Sequence, residues 1–281
     1  MTISAQVVMS TWLLVSLGVL GILVGSFLNV VIARVPEGKS IVRPRSCCPH
    51  CSAPISGRDN IPILSWILLR GRCRGCGIAI SIQYPLVEAL TGFVWLLLGW
   101  WGVLTAPNNS WINPLLPLAL IAGSFLIALS IIDIEWQRLP NQIVFLLYPI
   151  TIAGFVVALA VGDGWSQFPS LALSGIAGAL LWLGVIASIW FITHGKAMGL
   201  GDVKLAPVLG AILGWQTFSS AAVGLLLAFV MGGVTGIFLI IFRKTTGKSK
   251  IAFGPFLILG FFIGLTAGPA LWEGYVGIVG I

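Results

Sequence analysis

Residues 115–132 read "LLPLALIAGSFLIALSII", eighteen positions without a charge, and similar runs recur along the chain. About 20 such residues span the hydrocarbon of a bilayer. There the backbone must satisfy its own polar groups, which leaves only helices or a closed barrel. Barrel strands alternate polar and apolar residues, and these runs do not. Charged residues make up 8% of the 281 and apolar residues 58%, against roughly 25% charged in an ordinary soluble domain. The expected fold class is all-α, a polytopic membrane protein of about eight transmembrane helices.

The expected spans are 11–33, 85–104, 115–133, 142–161, 171–193, 202–214, 218–242 and 251–272, the sixth being short enough to be partly re-entrant. The first run stays apolar from Thr11 to Ile32 with no basic residue before it, so it reads as a retained span rather than a secretory signal. The net charge of +7 is not spread as in a nucleic-acid binder. Eight of the 15 basic residues lie between Arg34 and Arg74; Arg138, Lys196 and Lys204 sit at two later breaks, and Arg243, Lys244, Lys248 and Lys250 form a third group. Basic loops stay cytoplasmic, and eight spans put all 15 on one side, with both termini on the other. Membrane lipid is the expected surroundings and nucleic acid is not an expected partner. The twelve tryptophans, among them Trp100, Trp101 and Trp111, read as interfacial anchors near span ends.

Three regions follow: a first helix over 1–33, a cytoplasmic loop domain over 34–84, and a membrane domain over 85–281. The loop holds all five cysteines. Cys48 and Cys51 form one C-x-x-C and Cys73 and Cys76 another, with 21 residues between the pairs. Two such pairs supply four thiolates for a tetrahedral zinc ion. Pro49, Gly75 and Gly77 favour the tight turns. Disulfides are disfavoured on a reducing side. Cys47 is the spare thiol, and His50 reads as a solvated loop residue. A closed four-cysteine site is structural, giving a polar loop a core that it could not otherwise build.

Acids are rarer, and two stand at span ends. "IALSIIDIEWQRLPN" carries Asp133 and "GLGDVKL" carries Asp202. An ionisable group at the membrane is a functional candidate by default. Two carboxylates in reach of each other share a proton, so one can take a proton from water while the other gives one to a carbonyl. Gly199 and Gly201 would let a substrate backbone approach. The rival readings are that Asp202 caps its helix and that Asp133 pairs with Arg138 or Lys204. Glu135 is a more solvated acid, Asp163 and Glu273 are loop charges, and His194 is a lone interfacial residue. Neither G-x-S-x-G nor H-E-x-x-H occurs. A transporter with intramembrane acids is the alternative class, but no repeated halves accompany these acids.

Taken in order, "GSFLNVVIARVP", the two cysteine pairs around "NIPILSWILLRGRC", "ISIQYPLVEALTG", "IDIEWQRLPN" and "GLGDVKL" resemble the type IV prepilin peptidases over nearly the whole chain. Gln83 stands where many members have Arg, and Glu135 where many have Asp. The resemblance implies a GxGD-type intramembrane aspartic protease of the bacterial inner membrane. Asp133 and Asp202 become its catalytic pair and Cys48, Cys51, Cys73 and Cys76 its zinc ligands. The implied substrates are prepilins and pseudopilins of type IV pilus and type II secretion systems. Their basic leader is cut after a glycine, and the new N-terminus is methylated from S-adenosylmethionine. Glu88, by position only, is a candidate for cofactor binding; it could equally pair with a loop arginine. A peptidase without methyl transfer is the runner-up.

Overall fold

A computed structural model describes residues 3–279 except 44, 49, 108–109, 111, 162–163 and 244–251. The expectations for Pro49, Trp111, Asp163, Lys244, Lys248 and Lys250 lie outside the described residues. Nine α-helices form among them: α1 Ile3–Arg34, α2 Leu64–Leu68, α3 Gln83–Leu104, α4 Leu116–Trp136, α5 Asn141–Val161, α6 Phe168–Ile192, α7 Leu200–Gln216, α8 Phe218–Arg243 and α9 Gly254–Val279. Two 3-10 turns, Gly57–Asn60 and Gly164–Gln167, accompany them. No strand forms among the described residues.

Seven of the helices are long and apolar enough to cross a membrane. The remaining expected span is α7, whose 17 residues reach about 25 Å at 1.5 Å per residue, short of the roughly 30 Å hydrocarbon core. The helices outrun the apolar runs that announced them. Helix α9 continues to Val279, past Pro269 and Glu273, and α7 adds two residues at each end of its expected span. Hydropathy marks where side chains suit lipid, whereas the helix continues until its backbone ladder is capped.

The chain forms two compact units, Met1–Ser124 and Phe125–Ile281. In the first, α1 packs along α3 through small residues, which let helix backbones approach closely. A Cβ on Gly25 would lie 2.7 Å from the Glu88 Cα, and one on Gly92 would lie 2.6 Å from Ile22. Asn29 donates to the Tyr84 carbonyl at 3.1 Å, and Trp95 donates to the Ser124 hydroxyl at 3.0 Å. Trp101 is 3% exposed, so this tryptophan packs inside the unit instead of anchoring at the membrane surface. Trp100, next to it, is exposed as expected.

In the second unit two helix pairs carry glycine seams. On α6 and α7, Gly178 faces the Gly210 carbonyl and the Gly214 backbone. On α8 and α9, Gly224, Gly260 and Gly264 face each other's backbones. Trp182 of α6 fills the centre, fully buried, and donates to the Ala221 carbonyl at 2.9 Å. Phe155 of α5 stacks on Trp215 of α7 with centroids 4.0 Å apart. These seams hold α7 by its length and thereby fix where its N-terminus, with Asp202, ends up.

Candidate functional site

Two small hairpin turns carry the cysteines. Cys47 bridges to Pro54 and Arg72 bridges to Ala79. Each turn is closed in the same way: Cys48 N–H donates to Ala53 O at 3.0 Å, and Cys73 N–H to Ile78 O at 2.9 Å. Gly77 takes φ +70°, a conformation that glycine adopts at no steric cost. The result gathers Cys48, Cys51, Cys73 and Cys76, whose sulfurs lie within 4.8 Å of one another. Cys48 and Cys76 Sγ are 3.9 Å apart, close to the roughly 3.8 Å edge of a tetrahedron with 2.3 Å zinc–sulfur bonds. This donor set and spacing fit a zinc ion. Cys47 and His50 stand outside the group. The backbone N–H groups of Cys51 and His50 bring the Cys48 thiol down to about 6, whereas burial and the neighbouring thiols push Cys76 up to about 11.

Around this cluster the loop is braced by its own polar contacts. Arg74 grips Asp59 in a bidentate pair, with Nη2 to Oδ1 at 2.6 Å and Nε to Oδ2 at 2.9 Å, and that guanidinium holds the Asp59 carboxyl below its usual range. Trp66 donates to the Ile80 carbonyl at 3.2 Å. Glu88, buried on α3, accepts the Ile63 backbone N–H at 2.6 Å. Its partners are therefore the loop backbone at the start of α2 and the Ser26 hydroxyl of α1, and not an arginine. Ile63 has φ +59°, a costly conformation for a β-branched residue, and Glu88 holds the N–H of that residue.

The aspartates meet in the second unit. Asp133, one turn from the end of α4, and Asp202, in the first turn of α7, are each 6% exposed. Asp202 Oδ2 accepts the Gly199 N–H at 3.1 Å, while its Oδ1 is buried without a hydrogen-bond partner. Asp133 Oδ2 accepts the Gly254 N–H, at the start of α9, at 3.1 Å. A Cβ built on Gly254 would lie 2.6 Å from Asp133 Oδ2 and 3.5 Å from Asp202 Oδ1. The two oxygens can be no farther apart than those two distances together. Both acids line a cavity of about 360 Å³, whose wall also includes Arg138, Lys196, Lys204 and Phe253.

Asp202 does cap α7, as the rival reading held, but with one oxygen only, so capping leaves the other available. Among the described residues neither aspartate makes an ion pair. Lys204 turns to α5 instead: its Nζ donates to Asn141 Oδ1 at 3.0 Å and lies 5.5 Å from the centre of the Phe145 ring, while Tyr148 donates to the Lys204 carbonyl at 2.7 Å. Gly201 faces the Leu139 side chain, which a Cβ would meet at 2.9 Å. Its smallness serves packing between α7 and the segment after α4, and its backbone also lines the cavity that holds both aspartates. Gly199 is exposed and supplies the capping N–H. Sequence reasoning passed over Gly254; its signal was a Gly-Pro pair opening the last apolar run. His194 is exposed at φ +50° in the turn after α6, and Glu135 is exposed on α4.

A bacterial peptidase A24 N-terminal domain matches residues 19–101, and the type IV leader peptidase family matches residues 120–241. Curated relatives carry the name prepilin leader peptidase/N-methyltransferase. The one from Aeromonas salmonicida is 34% identical over 95% of this chain and 96% of its own. The one from Neisseria gonorrhoeae is 36% identical over 91% of both chains. The one from Myxococcus xanthus is 42% identical over 84% of this chain and 64% of its own. No solved structure matches. With its helical membrane fold, its four clustered cysteines and this likeness over nearly its full length, the chain belongs to the type IV leader peptidase family.

Proposed function

We propose that this protein cleaves the basic leader of prepilins and pseudopilins after a glycine, at the cytoplasmic face of the bacterial inner membrane, and then methylates the new N-terminus. The observation that carries the reading is the convergence of Asp133 and Asp202 on the point beside Gly254. Carboxylates that close share one proton between them. The ionised one takes a proton from a water whose oxygen bonds to the scissile carbonyl carbon, and the protonated one gives its proton to the carbonyl oxygen. The resulting diol collapses: the C–N bond breaks, the amine gains a proton, and the pair regains its single shared proton. No covalent enzyme intermediate is needed. The wall of the cavity adds three cations, Arg138, Lys196 and Lys204.

The remaining assignments rest on the same family reading. Residues 34–84 form the methyl-transfer part, between a first helix over 1–33 and a peptidase domain over 85–281. Cys48, Cys51, Cys73 and Cys76 would hold a structural zinc ion that cross-links the two hairpin turns. S-adenosylmethionine supplies the methyl group when bound. One oxygen of Glu88 is taken by the Ile63 N–H, so we route no step through this residue.

The test is Asp133→Asn and Asp202→Asn, made separately, with purified enzyme and a prepilin. Each should lower the cleavage rate by roughly 10²–10⁴-fold while leaving methylation of an already processed pilin in place. Near-normal cleavage by either variant would remove the paired mechanism. Mass spectrometry of the product tests the second activity: an unmethylated N-terminus would favour a peptidase alone.

A further inference from the structure

We infer that Gly254 is a positioning residue for cleavage: its N–H orients the Asp133 carboxylate, and its missing side chain keeps open the space between the two carboxylates where the reacting water must sit. The inference rests on the two-aspartate reading above. Three independent features point to it. The first is donor supply. The opening turn of α9 has few free N–H groups: Pro255 has none, and Phe256 and Leu257 N–H both donate to the Phe253 carbonyl. Gly254 N–H is left, and Asp133 Oδ2 takes it at 3.1 Å.

The second is space. Any other residue at 254 would put a Cβ 2.6 Å from Asp133 Oδ2 and 3.5 Å from Asp202 Oδ1. A carbon there would displace a carboxylate and occupy the position that faces both acids. The Asp202 oxygen on that side is buried and has no partner, which suits a group reserved for a bound water or a carbonyl. The third is rigidity. Phe253 packs on Phe229 of α8 with centroids 5.3 Å apart. Gly232 makes room for it, since a Cβ there would lie 2.8 Å from the Phe253 ring. The residue before Gly254 is thus pinned to α8, and α9 cannot easily retreat from the acids to admit a larger side chain. A glycine seam along the rest of α9 holds it in the same way.

Gly254→Ala tests this in the full-length enzyme, with steady-state cleavage of a prepilin, binding of the uncleaved prepilin and thermal unfolding in detergent. Displacing a catalytic group by about 1 Å costs about 100-fold, so kcat should fall on that scale while KM and prepilin binding stay within about threefold. The control is Gly236→Ala on α8, where a Cβ would meet nothing within 4 Å, and it should cleave like the parent. Cleavage by Gly254→Ala within about twofold of the parent, far from the 100-fold expected, overturns the inference. So does a loss of prepilin binding and melting temperature along with cleavage, because the glycine would then serve the fold and not the acids. A parent enzyme that cleaves no prepilin would instead sink the proposed function itself.

Discussion

Asp202 uses its two oxygens for different ends. One closes the first turn of α7 on the Gly199 N–H, and the other faces the space beside Gly254. The cap fixes the rotamer, so the free oxygen is aimed by the same bond that stabilises the helix. The neighbouring Lys204 is held away from the acids by Asn141 and Phe145, and its carbonyl by Tyr148. Tyr148→Phe removes that last bond and leaves the ring in place. It should cost about 0.5–1.5 kcal/mol, read as a lower melting temperature, with zinc content unchanged. Both aspartates and all four cysteines were legible from the chain because charge and thiol are rare there and their spacing is chemical. Gly254 was not: glycine is frequent in membrane helices, and only the fold reveals which one faces a carboxylate. The burial of Trp101 was hidden for a similar reason, since a tryptophan at a span end fits both the interface and a helix contact.

At the scale of helices, position is set by glycine seams more than by hydrophobic stripes. Lipid tails are as apolar as leucine, so burying a leucine between helices gains little in a membrane, while close backbone approach gains dispersion contacts. Helix α7 shows the consequence. It is too short to cross the bilayer simply, yet most of its residues are buried, and it is locked to α6 where Gly178, Gly210 and Gly214 meet. Gly210→Ala would put a methyl onto the Gly178 carbonyl and the Trp182 side chain. Overpacking of this kind costs about 1–3 kcal/mol. The variant should lose melting temperature, and cleavage should fall with it because α7 carries Asp202. Gly184→Ala, on α6 with nothing within 4 Å of its Cβ, should do neither. Hydropathy located the eight long helices and passed over the five-residue α2, but it could not say which face of each meets a partner, because both lipid-facing and partner-facing sides are apolar.

For the molecule as a whole, the chemistry divides along the chain as the compact units do. The four cysteines lie within Met1–Ser124, and both aspartates and Gly254 lie within Phe125–Ile281. The thiol cluster holds together a loop with little apolar core: the sulfurs, the Arg74–Asp59 pair and the Glu88–Ile63 contact are its main ties. A zinc ion held by these four cysteines would contribute folding free energy outright. Removing a ligand by Cys76→Ser, or the metal with a strong chelator, should therefore unfold the loop while α4–α9 keep their packing. Elemental analysis of the parent should find about one zinc per chain, and clearly less in Cys76→Ser. Protease digestion should then cut between residues 34 and 82 first. Cleavage of prepilin should decline less than methyl transfer, since the carboxylate pair is built wholly from the second unit. Equal loss of both activities, with the loop still protected from protease, would argue that the metal serves catalysis throughout the protein and not the order of the loop.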